Sequence, residues 1–158
     1  MTAACAMGYG AVKYADLKSN RISNYIFSYE RMLDPEGNTA VYLLYAGARI
    51  SSILRKAPPV QELLANGAHV ELTEEAEAAL GNALLRFPEV IEQMLSTLQP
   101  NFICEYLYDL CRKFTKFYQA CKVIGSPQQN SRLVLLAALE NVLRTGYSLV
   151  GIGYLERI

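Results

Sequence analysis

The chain has no surplus of charge of either sign: 15 lysines and arginines balance 15 aspartates and glutamates, for a formal net charge of zero. Proteins that grip nucleic acid by bulk electrostatics are clearly basic, so that mode is excluded and any hold on a phosphate must be local. Histidine is almost absent, with His69 alone, and the four cysteines, Cys5, Cys104, Cys111 and Cys121, form no CxxC pair. No ligand set therefore has zinc spacing. The cysteines read as structural thiols of a reducing compartment, with Cys104 and Cys111 a heptad apart on one helix face. Although 52% of the residues are hydrophobic, no apolar run comes near the roughly eighteen residues that a membrane-spanning helix needs. Residues 1–11 lack the basic start and sustained apolar stretch of a secretory signal. Nor does any carboxylate pair, nucleophile–base set or phosphate-cradling loop stand at a spacing that chemistry requires.

What is present is helical patterning. The length, 158 residues, suits one compact domain, or one domain with a short appendage. Residues 3–17 are small and apolar and read as a helix weakened by Gly8 and Gly10. Tyr25-Ile26-Phe27-Ser28-Tyr29 alternates like a short strand, and Asp34-Pro35-Glu36-Gly37 has the chemistry of a turn. Asn38 or Thr39 then caps a helix that runs to about Lys56, where Pro58-Pro59 stops it. A short helix at 60–65 closes on Asn66-Gly67. Thr73 caps a helix to Phe87, with Glu74 and Glu75 in its first turn. Pro88 starts another helix to about Leu98, or kinks a continuous one. The longest helix opens at Pro100 or Asn101 and runs to about Val123. Its stripe is Ile103, Leu107, Leu110, Phe114, Phe117 and Cys121. After a polar loop at 125–130, a last helix spans Ser131 to about Val150, and Gly151 and Gly153 end it. The expected fold is all-α, a helical bundle preceded by a short helix–strand remnant. Its division falls at 1–33 and 34–158.

Two features bear on binding. Tyr42, Tyr45 and Arg49 stand at i, i+3 and i+7 and share one helix face. Two aromatic faces beside a guanidinium can hold unstacked nucleobases and a phosphate. On spacing alone the commoner meaning is a half-buried pair of tyrosines with a solvated arginine. Arg112, Lys113, Lys116 and Lys122 gather on one later helix, opposite in sign to the group Glu71, Glu74, Glu75 and Glu77. They read as a solvated helix surface, or as contacts to a nucleic-acid backbone.

The run Gly37-Asn38-Thr39-Ala40-Val41-Tyr42-Leu43-Leu44-Tyr45-Ala46-Gly47-Ala48-Arg49 resembles the start of the C-terminal anticodon-binding helical domain of arginyl-tRNA synthetases. The likeness extends over nearly the whole chain. Gly8-Tyr9-Gly10-Ala11-Val12-Lys13-Tyr14-Ala15-Asp16-Leu17 and Asn20-Arg21 resemble the end of that family's class I catalytic domain. Residues 104–110, 114–118, 131–138 and 155–158 match its later helical blocks in order. The resemblance implies recognition of the tRNA(Arg) anticodon loop, with Tyr42 and Tyr45 packing on splayed nucleotides and Arg49 bonding a phosphate or base edge. It also implies Tyr118 as a stacking residue, with a rim tyrosine whose hydroxyl is wet as the equal alternative. Ile158 is the third element: as a C-terminus its carboxylate would be an acceptor held at the end of the final helix and approaching the anticodon loop, with an apolar side chain of altered shape where many members end in methionine. Gly47 departs from the pattern, since many members carry histidine there.

The implied parent is an ATP- and magnesium-dependent arginine–tRNA ligase of the cytoplasm. This chain has neither a HIGH-like nor a KMSKS-like motif. The expectation is therefore a piece of that parent, inactive alone, with no cofactor of its own and no membrane contact. Residues 1–33 would dock on the bundle, move freely, or pair with a second copy. The alternative from another class is a helical protein–protein module, with Tyr42, Tyr45 and nearby apolar residues as its docking patch.

Overall fold

Residues 3–158 are described in the computed structural model, where they form eight α-helices and no strand; Met1 and Thr2 of the expected 1–33 segment lie outside the described residues. Helix α1 (Ala3–Leu17) has the limits that the small, apolar pattern predicts. The strand expected at Tyr25–Tyr29 is absent. Residues 24–28 have no regular structure, and Ser28 caps the short helix α2 (Tyr29–Met32) by accepting from the Arg31 amide. The physical reason is pairing: an alternating pattern forms a strand only where a second strand takes up its backbone groups. Here Ile26 is 83% exposed, and the Phe27 and Tyr29 rings pack edge to face on each other instead.

The remaining helices follow their punctuation closely. Thr39 caps α3 (Ala40–Leu54): its hydroxyl accepts from the Tyr42 amide at 3.2 Å and donates to the Asp34 carbonyl at 2.7 Å. Helix α4 (Val60–Ala65) follows the proline pair and closes at Asn66. Helix α5 (Glu75–Leu85) is capped by Glu74, one residue later than expected, because Glu77 turns back and accepts the amides of both Thr73 and Glu74. Helix α6 (Phe87–Thr97) is separate from α5, with Pro88 in its first turn, where a missing N–H costs nothing. Helix α7 (Asn101–Ala120) ends three residues early because Cys121 is extended, and α8 (Gln129–Leu149) starts two early.

The core lies where α3, α7 and α8 meet. Leu43, Leu44, Ile50, Leu107, Leu110, Phe114, Leu136, Leu139 and Leu143 are all buried there. Helix α8 comes so close to α7 that a Cβ on Gly146 would fall 2.5 Å from a Leu107 methyl. Helix α1 is docked on this core. The Tyr14 hydroxyl is buried 2.7 Å from both the Asn38 side-chain oxygen and the Cys104 carbonyl, and Lys18 donates to the Asn38 carbonyl. Burial pushes the Cys104 and Cys111 thiols up to about 12, as expected of structural thiols.

Among the described residues one charged pair is buried. Arg132 Nε donates to Glu77 at 2.6 Å, and its Nη1 donates to the Lys122 carbonyl at 2.8 Å. Burial alone would raise the Glu77 pKa, but the Arg132 guanidinium and the Glu74 and Thr73 donors outweigh it and hold the carboxyl below its ordinary value. A depressed carboxyl stabilises the fold fully above its unfolded pKa, and the contribution is lost as pH falls through the folded one. Glu77→Gln is therefore expected to destabilise the chain by roughly 3–5 kcal/mol at neutral pH, because Arg132 stays buried with its charge unpaired. Urea unfolding of both proteins should show this gap shrinking as pH falls below the ordinary carboxylate range and through the depressed folded value of Glu77, where the wild-type carboxyl also becomes neutral.

Candidate nucleic-acid interface

Helices α3 and α7 lie side by side, so the outward edge of α3 and the near edge of α7 form one continuous face. Tyr42 sits at one end of it, half-buried. Its hydroxyl is 3.1 Å from Thr115 Oγ1, and its ring meets the Tyr108 ring edge to face at 5.4 Å. One turn further along α3, Tyr45 is 47% exposed and makes no hydrogen bond to the described residues. After another turn, the Arg49 guanidinium lies over the Tyr118 ring, 5.4 Å from its centroid. Tyr118 itself is 45% exposed and leans on Phe114. It projects from the rim of α7, as its place beside the apolar stripe implies.

The closing residues complete the face. Beyond α8 the chain turns back, and an open cleft of about 400 Å³ forms between it and α3. Its walls include Tyr45, Arg49, Ser52, Arg55, Arg157 and Ile158. The structure thus brings Tyr45, Arg49 and Ile158 into one cleft, with Tyr118 held against Arg49. Tyr42 shares their side of the helix but stands two turns from Arg49 and turns toward α7. An exposed tyrosine beside a guanidinium, next to a concavity of this size, can sandwich an unstacked base while the cation takes a phosphate or base edge.

Two tyrosines of this region escape a reading by helical spacing. Tyr108 lies seven residues before Thr115 on the edge of the α7 stripe, and Arg112 stands 5.8 Å from its ring centroid. Tyr154 lies in the closing segment after two glycines, where no period operates. Its ring occupies the space beside Gly47, so that a Cβ there would fall 3.0 Å from the ring. The departure at Gly47 therefore has a steric counterpart within the same protein. Of the expected basic group, Arg112, Lys113 and Lys116 line one concavity facing Glu74, Glu75 and Asp109, with Lys113 paired to Asp109 at 2.5 Å, whereas Lys122 lies beyond the end of α7. No group of histidine, cysteine, aspartate and glutamate able to hold a metal ion is found among the described residues.

The sequence and the fold have known counterparts. The family described as "DALR anticodon binding domain" matches residues 43–158, and "tRNA synthetases class I (R), catalytic domain" matches residues 1–29. The chain is 52% identical over 147 residues to the chloroplastic/mitochondrial arginine–tRNA ligase of Arabidopsis thaliana, covering 93% of this chain and 23% of that protein. It is 50% identical over 154 residues to the arginine–tRNA ligase of Rippkaea orientalis, covering 96% of this chain and 26% of that one. The crystal structure of arginyl-tRNA synthetase from Plasmodium falciparum superposes with a TM-score of 0.89 at 36% identity, covering 97% of this chain and 27% of that one. The Thermus thermophilus enzyme gives 0.84 at 29% identity, with 99% and 27% covered. The chain belongs to the DALR anticodon-binding domain family, and the relatives it matches are arginine–tRNA ligases. It spans about a quarter of the length of those curated relatives.

The two α3 tyrosines are expected to separate in stability. Tyr42→Ala removes a half-buried ring with partners on α7 and should cost roughly 2–4 kcal/mol. Tyr45→Ala should stay within about 0.5 kcal/mol of wild type. Urea denaturation of the two variants measures the difference directly, and Tyr45→Ala then serves as the cleaner probe of binding.

Proposed function

We propose that this chain recognises the anticodon loop of tRNA(Arg) as part of an arginine–tRNA ligase. The observation that carries the reading is the single cleft shared by Tyr45, Arg49 and Ile158, with Tyr118 packed on Arg49, in a DALR-family chain. In this reading Tyr45 and Tyr118 stack on splayed loop nucleotides, and Arg49 bonds a phosphate or base edge. Tyr42 supports the far end of the track, and the Ile158 side chain closes the cleft floor. Stacking on tyrosine contributes about 1–3 kcal/mol per base and tolerates sequence changes, so hydrogen bonds from Arg49 and the closing residues supply the discrimination. The binding energy positions the tRNA so that its acceptor end reaches a catalytic centre elsewhere in the parent.

In that parent, residues 1–33 form the end of the catalytic domain and 34–158 the anticodon-binding unit. Arginine, ATP and magnesium are the parent's reactants and cofactor, and its compartment is the cytoplasm. The curated relatives include a chloroplastic/mitochondrial ligase and a cytoplasmic one. Among the described residues no helix is long and apolar enough to cross a membrane. The exposed Tyr25, Ile26 and Phe27 pack on the rest of the catalytic domain, or on a second copy where that domain is missing.

Binding of the chain to a tRNA(Arg) anticodon stem-loop, beside a stem-loop with a scrambled loop, tests the reading. Selective binding is expected to weaken by about 1–3 kcal/mol in Tyr45→Ala and to fall as salt rises. Binding of neither RNA by the folded chain would remove the proposal and leave the protein-docking alternative. The chain by itself should show no arginine-dependent ATP–pyrophosphate exchange, and measurable exchange would contradict the assignment of the catalytic motifs to other parts of the parent.

A further inference from the structure

Residues 156–158 form one wall of the cleft, yet they belong to no helix. What fixes them is a lock one step upstream. The chain leaves α8 through Gly151, whose φ of +70° is left-handed, and the Ile152 amide returns to the Tyr147 carbonyl at 2.8 Å. Tyr154 then inserts between α3 and α8. Its hydroxyl donates to the Gly47 carbonyl at 2.9 Å, and lies 3.0 Å from Ser51 Oγ and 3.2 Å from Glu140 Oε1. Ser51 donates to the same Glu140 oxygen. Arg144 covers the outer face of the ring at 4.0 Å and pairs with both Glu140 and Glu156. Arg55 donates to the Glu156 carbonyl at 2.8 Å.

The register of this lock matters. Gly47 and Ser51 on α3 and Arg55 at its C-cap lie one turn apart on a single face and bind the closing strap, residues 151–158, while Tyr45, Arg49 and Ser52 line the cleft beside them. Strap and cleft are thus indexed to the same helix. A strap without regular structure would otherwise have to be ordered when a ligand arrives, at a cost in affinity that preorganisation removes.

We infer that Tyr154, held by Ser51, Glu140 and Arg144, is a positioning residue for RNA recognition: it sets residues 156–158 against Tyr45 and Arg49 so that the cleft is formed before an unstacked nucleobase enters. The inference rests on the anticodon-loop reading above. Tyr154 touches no RNA itself, so its effect passes entirely through the strap.

Tyr154→Phe tests this, because the ring keeps its place beside Gly47 and under Arg144 while the three hydroxyl contacts are lost. Its binding to the tRNA(Arg) anticodon stem-loop and to the scrambled stem-loop is measured twice, once in the wild-type chain and once with Arg157→Gly and Ile158→Gly already in place. The expected result is a loss on the order of tenfold for the matched loop only, through faster dissociation, which vanishes in the glycine background. An equal loss in both backgrounds, or no loss in either, overturns the inference while leaving the anticodon reading intact. Absence of binding by the wild-type chain overturns both. Should Tyr154→Phe unfold, Ser51→Ala removes one of the three contacts without touching the ring, and the same comparison decides.

Discussion

Two successive turns of α3 accept hydroxyl protons from tyrosines that follow one another along the chain. Tyr147, the last buried ring of α8, donates to the Leu43 carbonyl. Tyr154, beyond the end of α8, donates to the Gly47 carbonyl. The two rings lie 5.7 Å apart. Burial pushes both phenols above their ordinary values, so each remains a donor across the physiological range. Tyr147 also reaches Cys111 on α7, so one residue ties the three core helices together. Helix α3 therefore cannot slide or turn without breaking buried hydrogen bonds, which costs the desolvation of every group left unpaired. Everything on its outer face, Tyr42, Tyr45 and Arg49 included, inherits that rigidity.

Electrostatics are sorted with equal economy. The chain is neutral overall, and several of its cations are committed within the protein. Arg132 is buried on Glu77, Lys113 is paired with Asp109, and Arg144 is shared between Glu140 and Glu156. Arg49 and Arg112 instead stand over tyrosine rings. A guanidinium over an aromatic face keeps its outward donors free for a phosphate while its position is held. Such a surface is suited to holding an anion at chosen points rather than attracting polyanions in general.

Much of the fold was legible because its signals are local. Thr39, the Pro58-Pro59 pair, Asn66-Gly67 and Pro88 each mark a helix boundary through a backbone preference that acts within a few residues. The apolar stripe of the longest helix is buried as its three- and four-residue steps require. The stretch 25–29 misled because alternation reports extended backbone and says nothing of a pairing strand, which the described residues do not supply. At the candidate site, the i, i+3, i+7 spacing placed Tyr42, Tyr45 and Arg49 on one side of a helix. It could not reveal that Tyr42 is pressed against Thr115 and Tyr108 while Tyr45 is open. The lock around Tyr154 was illegible for a stronger reason: it joins residues 107 positions apart in sequence, and no local period encodes such a contact.

The same contrast bears on how recognition works in a neutral helical domain. In the proposed anticodon reading, long-range attraction would do little to gather RNA, and stacking rewards any base alike. Selectivity must then come from the shape and fixed donors of the cleft, and these discriminate only if their positions are set in advance. Two walls of the cleft differ in how they achieve this. The α3 wall is rigid because a capped helix in a packed core has nowhere to go. The wall at 156–158 has no such support, and the ring of Tyr154, the carboxylate of Glu140 and the guanidinium of Arg144 supply it from the side. Gly47 fits this division of labour: a side chain there would point into the space that the lock fills.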